Sequence, residues 1–268
     1  MRISDPRRYY FRSALLARIV LAAALSVSIV LLIASIALSV TPVENGVTLP
    51  LLVWDINYND VPVDTTPPAL TKEQIEAQGK LTEWQRLPIR NYSQIQYITA
   101  TRQAKVVKEA AGLTDKPLLF TYTENAQPQY GPKVVYQVPP QVAASGRIWR
   151  LTFDVAKGNI AISGGIHLWD VTGIEFFEDG TVRAGGVQFS RYAANKPLHI
   201  ECVIDAQEKT VTVTADGNKA TAATIPWSSP KAPNFSAMIL HGVLPGGHGE
   251  VPSSIAFDNI KLVLEKMR

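Results

Sequence analysis

Residues 147–155 read Arg-Ile-Trp-Arg-Leu-Thr-Phe-Asp-Val. Trp149, Leu151, Phe153 and Val155 alternate with Arg150, Thr152 and Asp154. Successive side chains of an extended chain point to opposite sides, so this is a strand with one face in a core and the other in water. The same period recurs downstream. Residues 199–205 put Ile200, Cys202 and Ile204 on one side, and residues 210–214 put Val211 and Val213 inward. Asp179-Gly180 and Asp216-Gly217 separate such runs, because glycine accepts the positive φ of a hairpin turn. Residues 238–240 are apolar on both sides, as in a central strand. Residues 255–264 change parity at Asp258-Asn259, which marks a β-bulge. Further strands are expected at 94–101, 118–123, 133–138, 160–170, 171–177 and 181–183. The predicted class is mainly β: an antiparallel β-sandwich (jelly roll) over residues 89–268.

Upstream of the strands the chain changes character. Residues 19–40, IVLAAALSVSIVLLIASIALSV, carry no charge. As a helix this run matches the roughly 30 Å hydrocarbon core of a bilayer. Arg2, Arg7, Arg8, Arg12 and Arg18 precede it against Asp5, and no Lys or Arg follows until Lys72. Basic flanks stay on the cytoplasmic side, so residues 1–18 read as a cytoplasmic tail and residues 19–40 as a retained transmembrane signal-anchor. A cleavable signal peptide would have a shorter apolar core, with Ser35-Ile36-Ala37 as a poor cleavage site. A buried core helix would lack the asymmetric flanks. The expected location is therefore a bacterial inner membrane, with the C-terminal domain periplasmic or extracellular.

Residues 41–88 form the expected tether. Prolines at 42, 50, 62, 67 and 68 forbid a continuous helix there. Leu49, Leu51, Leu52, Trp54 and Tyr58 are too apolar to remain in water. Three surfaces could receive them: their own domain, the membrane interface, or a neighbouring protein. The last two make these five residues candidate partner or membrane-interface contacts. Residues 71–86 read as one helix, with Thr71 and Gln74 in capping-box positions.

Composition narrows the function. The chain carries +3 overall, but the first 40 residues hold +4 and the remainder −1. The basic excess belongs to membrane topology, and nucleic acid is excluded as an expected partner. A single cysteine, Cys202, allows no intramolecular disulfide. No spacing of His, Cys or carboxylates makes a convincing metal or cofactor set. His241 and His248 with Glu250 are suitable ligand types, but they flank a glycine-rich loop.

The order GRIWRLTFDV (146–155), IHLWDVTGIEFFEDGTV (166–182), KPLHIECVIDAQEKTVTVTADGNKA (196–220) and SSIAFDNIKLVLE (253–265) resembles the concanavalin A-like lectin/glucanase and laminin-G-like jelly rolls. The resemblance covers about residues 89–266 and rests on hairpin chemistry. It implies two packed antiparallel sheets with a concave binding face. The glucanase branch uses paired carboxylates on a strand. The nearest counterparts here are Glu175, Glu178 and Asp179, and the last two belong to a turn. His167 and Trp169 share one side of residues 166–170 and are the candidate ligand-binding pair, with Trp169 as a stacking platform for a sugar ring.

Two functions follow as expectations. The first is a non-catalytic accessory subunit of a larger membrane complex, photosynthetic or respiratory for example, with integral membrane proteins as partners. The second is a membrane-anchored carbohydrate-binding module at the cell envelope. A glycoside hydrolase or lyase stands behind both.

Overall fold

The computed structural model describes residues 43–44, 47–59, 61–67, 93–96, 99–123, 131–160, 164–243 and 252–268. The apolar run 19–40 and the expected helix 71–86 lie outside the described residues, and no described helix is long and apolar enough to cross a membrane. The chain divides into two units, Met1–Thr48 and Leu49–Arg268. The described part of the first is a short antiparallel ladder of β1 (Val43–Glu44) with β2 (Val47–Thr48).

The second unit is the sandwich. Its elements are β3 (Leu51–Ile56), β4 (Ser93–Gln96), β5 (Arg102–Val106), β6 (Leu118–Tyr122), β7 (Lys133–Gln137), helix α1 (Pro140–Ser145), β8 (Gly146–Lys157), β9 (Gly164–Leu168), β10 (Thr172–Phe176), β11 (Thr181–Ala184), β12 (Val187–Arg191), β13 (Leu198–Asp205), β14 (Thr210–Ala215), β15 (Ala223–Pro226), β16 (Ala237–His241) and β17 (Ser253–Met267). Among the described residues a seven-stranded sheet runs β12-β11-β10-β9-β16-β7-β4. An eight-stranded sheet runs β15-β14-β13-β8-β17-β6-β5, with β3 also beside β17. The strands pair antiparallel.

Alternation decides what lies between the sheets. Trp149, Leu151, Phe153 and Val155 of β8 are fully buried, and so are Ile200, Cys202 and Ile204 of β13. Burial pushes the Cys202 thiol pKa up, as befits a small core residue. The opposing sheet contributes Ile166 and Leu168, Ile174 and Phe176, and Met238 and Leu240. Each such side chain is worth about 1.5–3 kcal/mol buried. A one-residue slip of β8 would expose four of them, costing roughly as much as a whole domain's stability, so its register is fixed.

The parity change in β17 is the expected bulge. Asp258 pairs with Asp154 and Lys261 with Thr152, so two residues of β17 face one of β8, and Asn259 adopts φ 51°. Before the bulge Ser253–Phe257 pair with β6; after it Ile260–Leu264 pair with β3. Asn259 Nδ2 donates to Asp154 Oδ2 at 2.8 Å, which holds the kink in place.

The tether reading is corrected here. Leu49, Trp54 and Tyr58 are buried at 5%, 0% and 3% exposure, and Leu51 and Leu52 are half-buried in a strand of the sandwich. Of the three surfaces open to them, their own domain receives them. The reason is pairing: β17 has an open edge beyond its bulge, and residues 51–56 fill it. Pro50 and Pro62 bracket that strand without interrupting it. Trp54 lies 6.2 Å from the Tyr136 ring and 6.3 Å from Phe235, and Phe235 lies 6.0 Å from Trp149. Tyr58 and Tyr136 share a 2.8 Å hydroxyl hydrogen bond from one sheet's extension to the other sheet. The sandwich therefore begins at Leu49, where the sequence placed its start at residue 89.

The expected strand 94–101 is also divided. β4 ends at Gln96 in one sheet, and β5 begins at Arg102 in the other. Strands β5, β12 and β15 had no counterpart in the sequence reading. All three lie toward sheet edges, where alternation is weakest.

Replacing Trp54 with Ala should destabilise the domain by about 3–5 kcal/mol, read as a lower denaturation midpoint. A side chain reserved for a partner would cost under about 0.5 kcal/mol, and such a result would return β3 to the tether reading.

Candidate functional site

The seven-stranded sheet has a second face, turned away from the core. Because Ile166 and Leu168 point inward, Gly165, His167 and Trp169 point outward. The same parity turns Gly173 and Glu175 of β10, Ala237, Ile239 and His241 of β16, and Lys133, Val135 and Gln137 of β7 to that side.

Cross-strand register arranges these residues in rows. One row runs Arg183, Glu175, Gly165, His241, Lys133. The next runs Gly173, His167, Ile239, Val135. In the last, Trp169 N donates to Ala237 O at 2.8 Å, and Ala237 pairs with Gln137. The face grades from charged and titratable to apolar and aromatic.

Gly173 opens the row of His167. A Cβ at Gly173 would meet Glu175 Oε1 at 2.9 Å and His167 Nε2 at 3.0 Å, so the carboxylate and the imidazole both lie over that glycine. The His167 and His241 rings meet edge to face at 5.4 Å. Burial governs their protonation. Desolvation lowers the His167 pKa. It raises that of Glu175, against the pull of Arg183. His241 is 6% exposed and its pKa is held down to about 3, chiefly by desolvation, then by His167 and Lys133. Its Nε2 has no hydrogen-bond partner among the described residues. At neutral pH the two imidazoles are uncharged.

The lower rows enclose a hollow of about 510 Å³. Val135, Ala237 and Ile239 form its floor, a small apolar cluster separate from the main core. Trp169 stands at its side, 52% exposed, on a three-residue turn in which Asp170 takes φ 63°. Gln137, Asn234 and Ser236 supply polar groups at the rim.

His167 and Trp169 thus share this face, as their spacing suggested. Of the three carboxylates considered, Glu175 is on the face. Asp179 is at the β10–β11 turn, where it accepts from Thr181 N at 2.8 Å and pairs with Arg183. His241 is the last residue of β16 and not part of a loop; His248 and Glu250 lie outside the described residues. Among the described residues no cluster of three His, Cys, Asp or Glu side chains is arranged for a metal ion. The placement of Glu175 and His241 beside His167, and the hollow's floor, escaped the sequence reading. The signal existed in the hairpin register: pairing across Asp170 sets Gly173 against His167 and Glu175 against Gly165.

No family model matches the sequence, and no curated protein matches it. Solved structures of similar fold include a sialidase at 17% identity, covering 64% of this chain and 17% of that one, with a TM-score of 0.48. The binding domain of botulinum neurotoxin DC, solved with rat synaptotagmin II, is 9% identical over 66% of this chain and 44% of that one, with a TM-score of 0.42. The alginate lyase from Corynebacterium sp. is 12% identical over 62% of this chain and 82% of that one, also at 0.42. This chain therefore spans less than half of the sialidase and of the toxin domain. Each of these likenesses has a TM-score below 0.5.

Burial of His241 has a pH signature. Its folded pKa lies below the ordinary imidazole value of 6.5, so it stabilises the domain above that pH and the stability is lost as pH falls toward about 3. Relative to His241→Gln, the wild-type domain should lose about 3–5 kcal/mol across that window in chemical denaturation. A flat difference curve would mean that His241 takes up its proton freely in the folded state.

Proposed function

We propose that this chain is a non-catalytic, single-pass membrane protein whose β-sandwich serves as an accessory subunit of a larger membrane protein assembly. The N-terminus is cytoplasmic, the apolar run 19–40 is the anchor, and the sandwich stands on the outer side of a bacterial inner membrane. The observation that carries this reading is the uncharged run 19–40, with five arginines before it and no Lys or Arg after it until Lys72.

The outer face speaks against one enzyme class, a paired-carboxylate glycosidase. Glycoside cleavage uses two carboxylates across a bond. Here Glu175 stands with Arg183, His167 and His241, and no second described carboxylate shares its rows.

Full-length protein purified in a gentle detergent should bring down a stoichiometric set of integral membrane proteins, identified by mass spectrometry. A lone monomer would sink the proposal. A second reading, a membrane-anchored carbohydrate-binding module, is favoured by the half-exposed Trp169 beside its hollow. On a glycan array the detergent-solubilised full chain would then bind, and Trp169→Ala would lose that binding about tenfold or more, the scale of a hot-spot aromatic.

A further inference from the structure

We propose that Asp258 is a pH-sensitive latch for the hairpin loop 107–117: uncharged, it lets the loop close over the outer side of β8 and β17, and ionised, it loosens the loop.

The loop joins β5 to β6 and lies across the eight-stranded sheet on the side away from the core. Its neck is closed by Val107 N donating to Pro117 O at 3.1 Å, and its tip by the mutual hydrogen bonds of Ala110 and Leu113. Leu113 packs with Ala156 of β8 and Ala256 of β17, which are register partners, and Ala110 and Ala111 join them. Lys116 Nζ ties the loop to the segment after β3, donating to Asn59 O at 2.6 Å and Val61 O at 3.3 Å. At the tip a Cβ on Gly112 would meet Asn195 O and Pro197 Cδ at 2.9 Å, so the loop rests on the approach to β13. It therefore spans β17 and β8 from one flank to the other.

Two residues along each strand, the alanine pair gives way to a carboxylate pair. Asp258 and Asp154 are register partners on the same side as Ala256 and Ala156. Asp258 is 2% exposed. Desolvation pushes its pKa up to about 6; Asn259 N, donating at 2.8 Å, opposes this, while Asp115 of the loop and Asp154 add to it. Tyr58 faces it from the segment after β3 and keeps its proton. The charges around it are engaged elsewhere. His199 Nδ1 and Asn259 Nδ2 hold the two oxygens of Asp154 at 2.7 and 2.8 Å. Lys116 is bound to carbonyls, and Lys261 stands beyond the bulge opposite Asp55.

Opening the loop removes Asp115 and readmits water, so Asp258 returns toward its ordinary value of 3.8. The closed state thus holds a proton that the open state gives up. Closure is favoured at low pH, and the advantage is lost as pH rises through about 6. A pKa difference of this size is worth up to about a hundredfold in the closing equilibrium.

The test is amide hydrogen exchange on the full-length protein in gentle detergent, between pH 4 and 7.5, corrected for the pH dependence of exchange in an unstructured chain. Protection of residues 107–117 should fall about tenfold or more as pH rises, with these residues exchanging faster than residues 198–205 of β13 throughout. Asp258→Asn should keep the loop protected across the range. Asp115→Asn should move the midpoint of the fall to lower pH. Constant protection in the wild type, or the same fall in Asp258→Asn, would overturn the latch. So would exchange of 107–117 only together with 198–205, which would mean that the whole sandwich opens. Should Asp258→Asn fail to fold, Asp115→Asn decides: an unmoved midpoint would overturn the latch.

Discussion

The antiparallel pair of β8 and β17 is the constraint on which the sandwich depends. The two strands run beside each other from Ile255 and Lys157 at one end to Met267 and Gly146 at the other. β8 needs only its alternation to be placed. β17 is longer than any one neighbour on its far side, and the bulge at Asp258-Asn259 lets it serve two of them. The extra residue resets parity, so Phe257 and Ile260 both reach the core. It also turns the strand, so the edge that held β6 is handed to β3. Without that kink one half of β17 would face its apolar residues to water.

The same economy shapes the outer face of the other sheet. Its character is set by where side chains are missing as much as by which are present. Gly173 leaves room above the backbone, and Glu175 and His167 lean into that room, with His241 edge to face against His167. Close together and poorly hydrated, they settle on neutral imidazoles and a carboxyl with a raised pKa. Farther along, aliphatic residues and Trp169 replace them. The result is one continuous face with a polar end and an apolar end, the apolar one lying nearest α1.

What could be read from the sequence was governed by burial on a single face. β8, β13 and β14 each bury one side and expose the other, and their alternation is unmistakable. The bulge was legible for the same reason, since a parity change in such a strand has few other causes. Residues 49–58 were misread because their partner is distant in sequence and prolines surround them. Apolar residues at 51, 52, 53 and 54 show no alternation, and only the β17 edge explains them. That His167 and Trp169 face one way was legible because residues two apart in an extended chain do so. Ile239 was not, because β16 is buried on both sides and its sequence does not say which side is the core.

The pairing of β3 with β17 has a consequence for how the protein is made. Leu51 leaves the ribosome more than two hundred residues before Leu264, its partner. Until then the Leu-Leu-Val-Trp stretch waits with its hydrogen-bonding edge unfilled. The sandwich can close only when β17 has been made, so a chain truncated within β17 would lose the pairing of β3 as well. Synthesis of β17 is thus itself the signal for closure, and a copy stopped before it would present an open strand edge to chaperones or proteases.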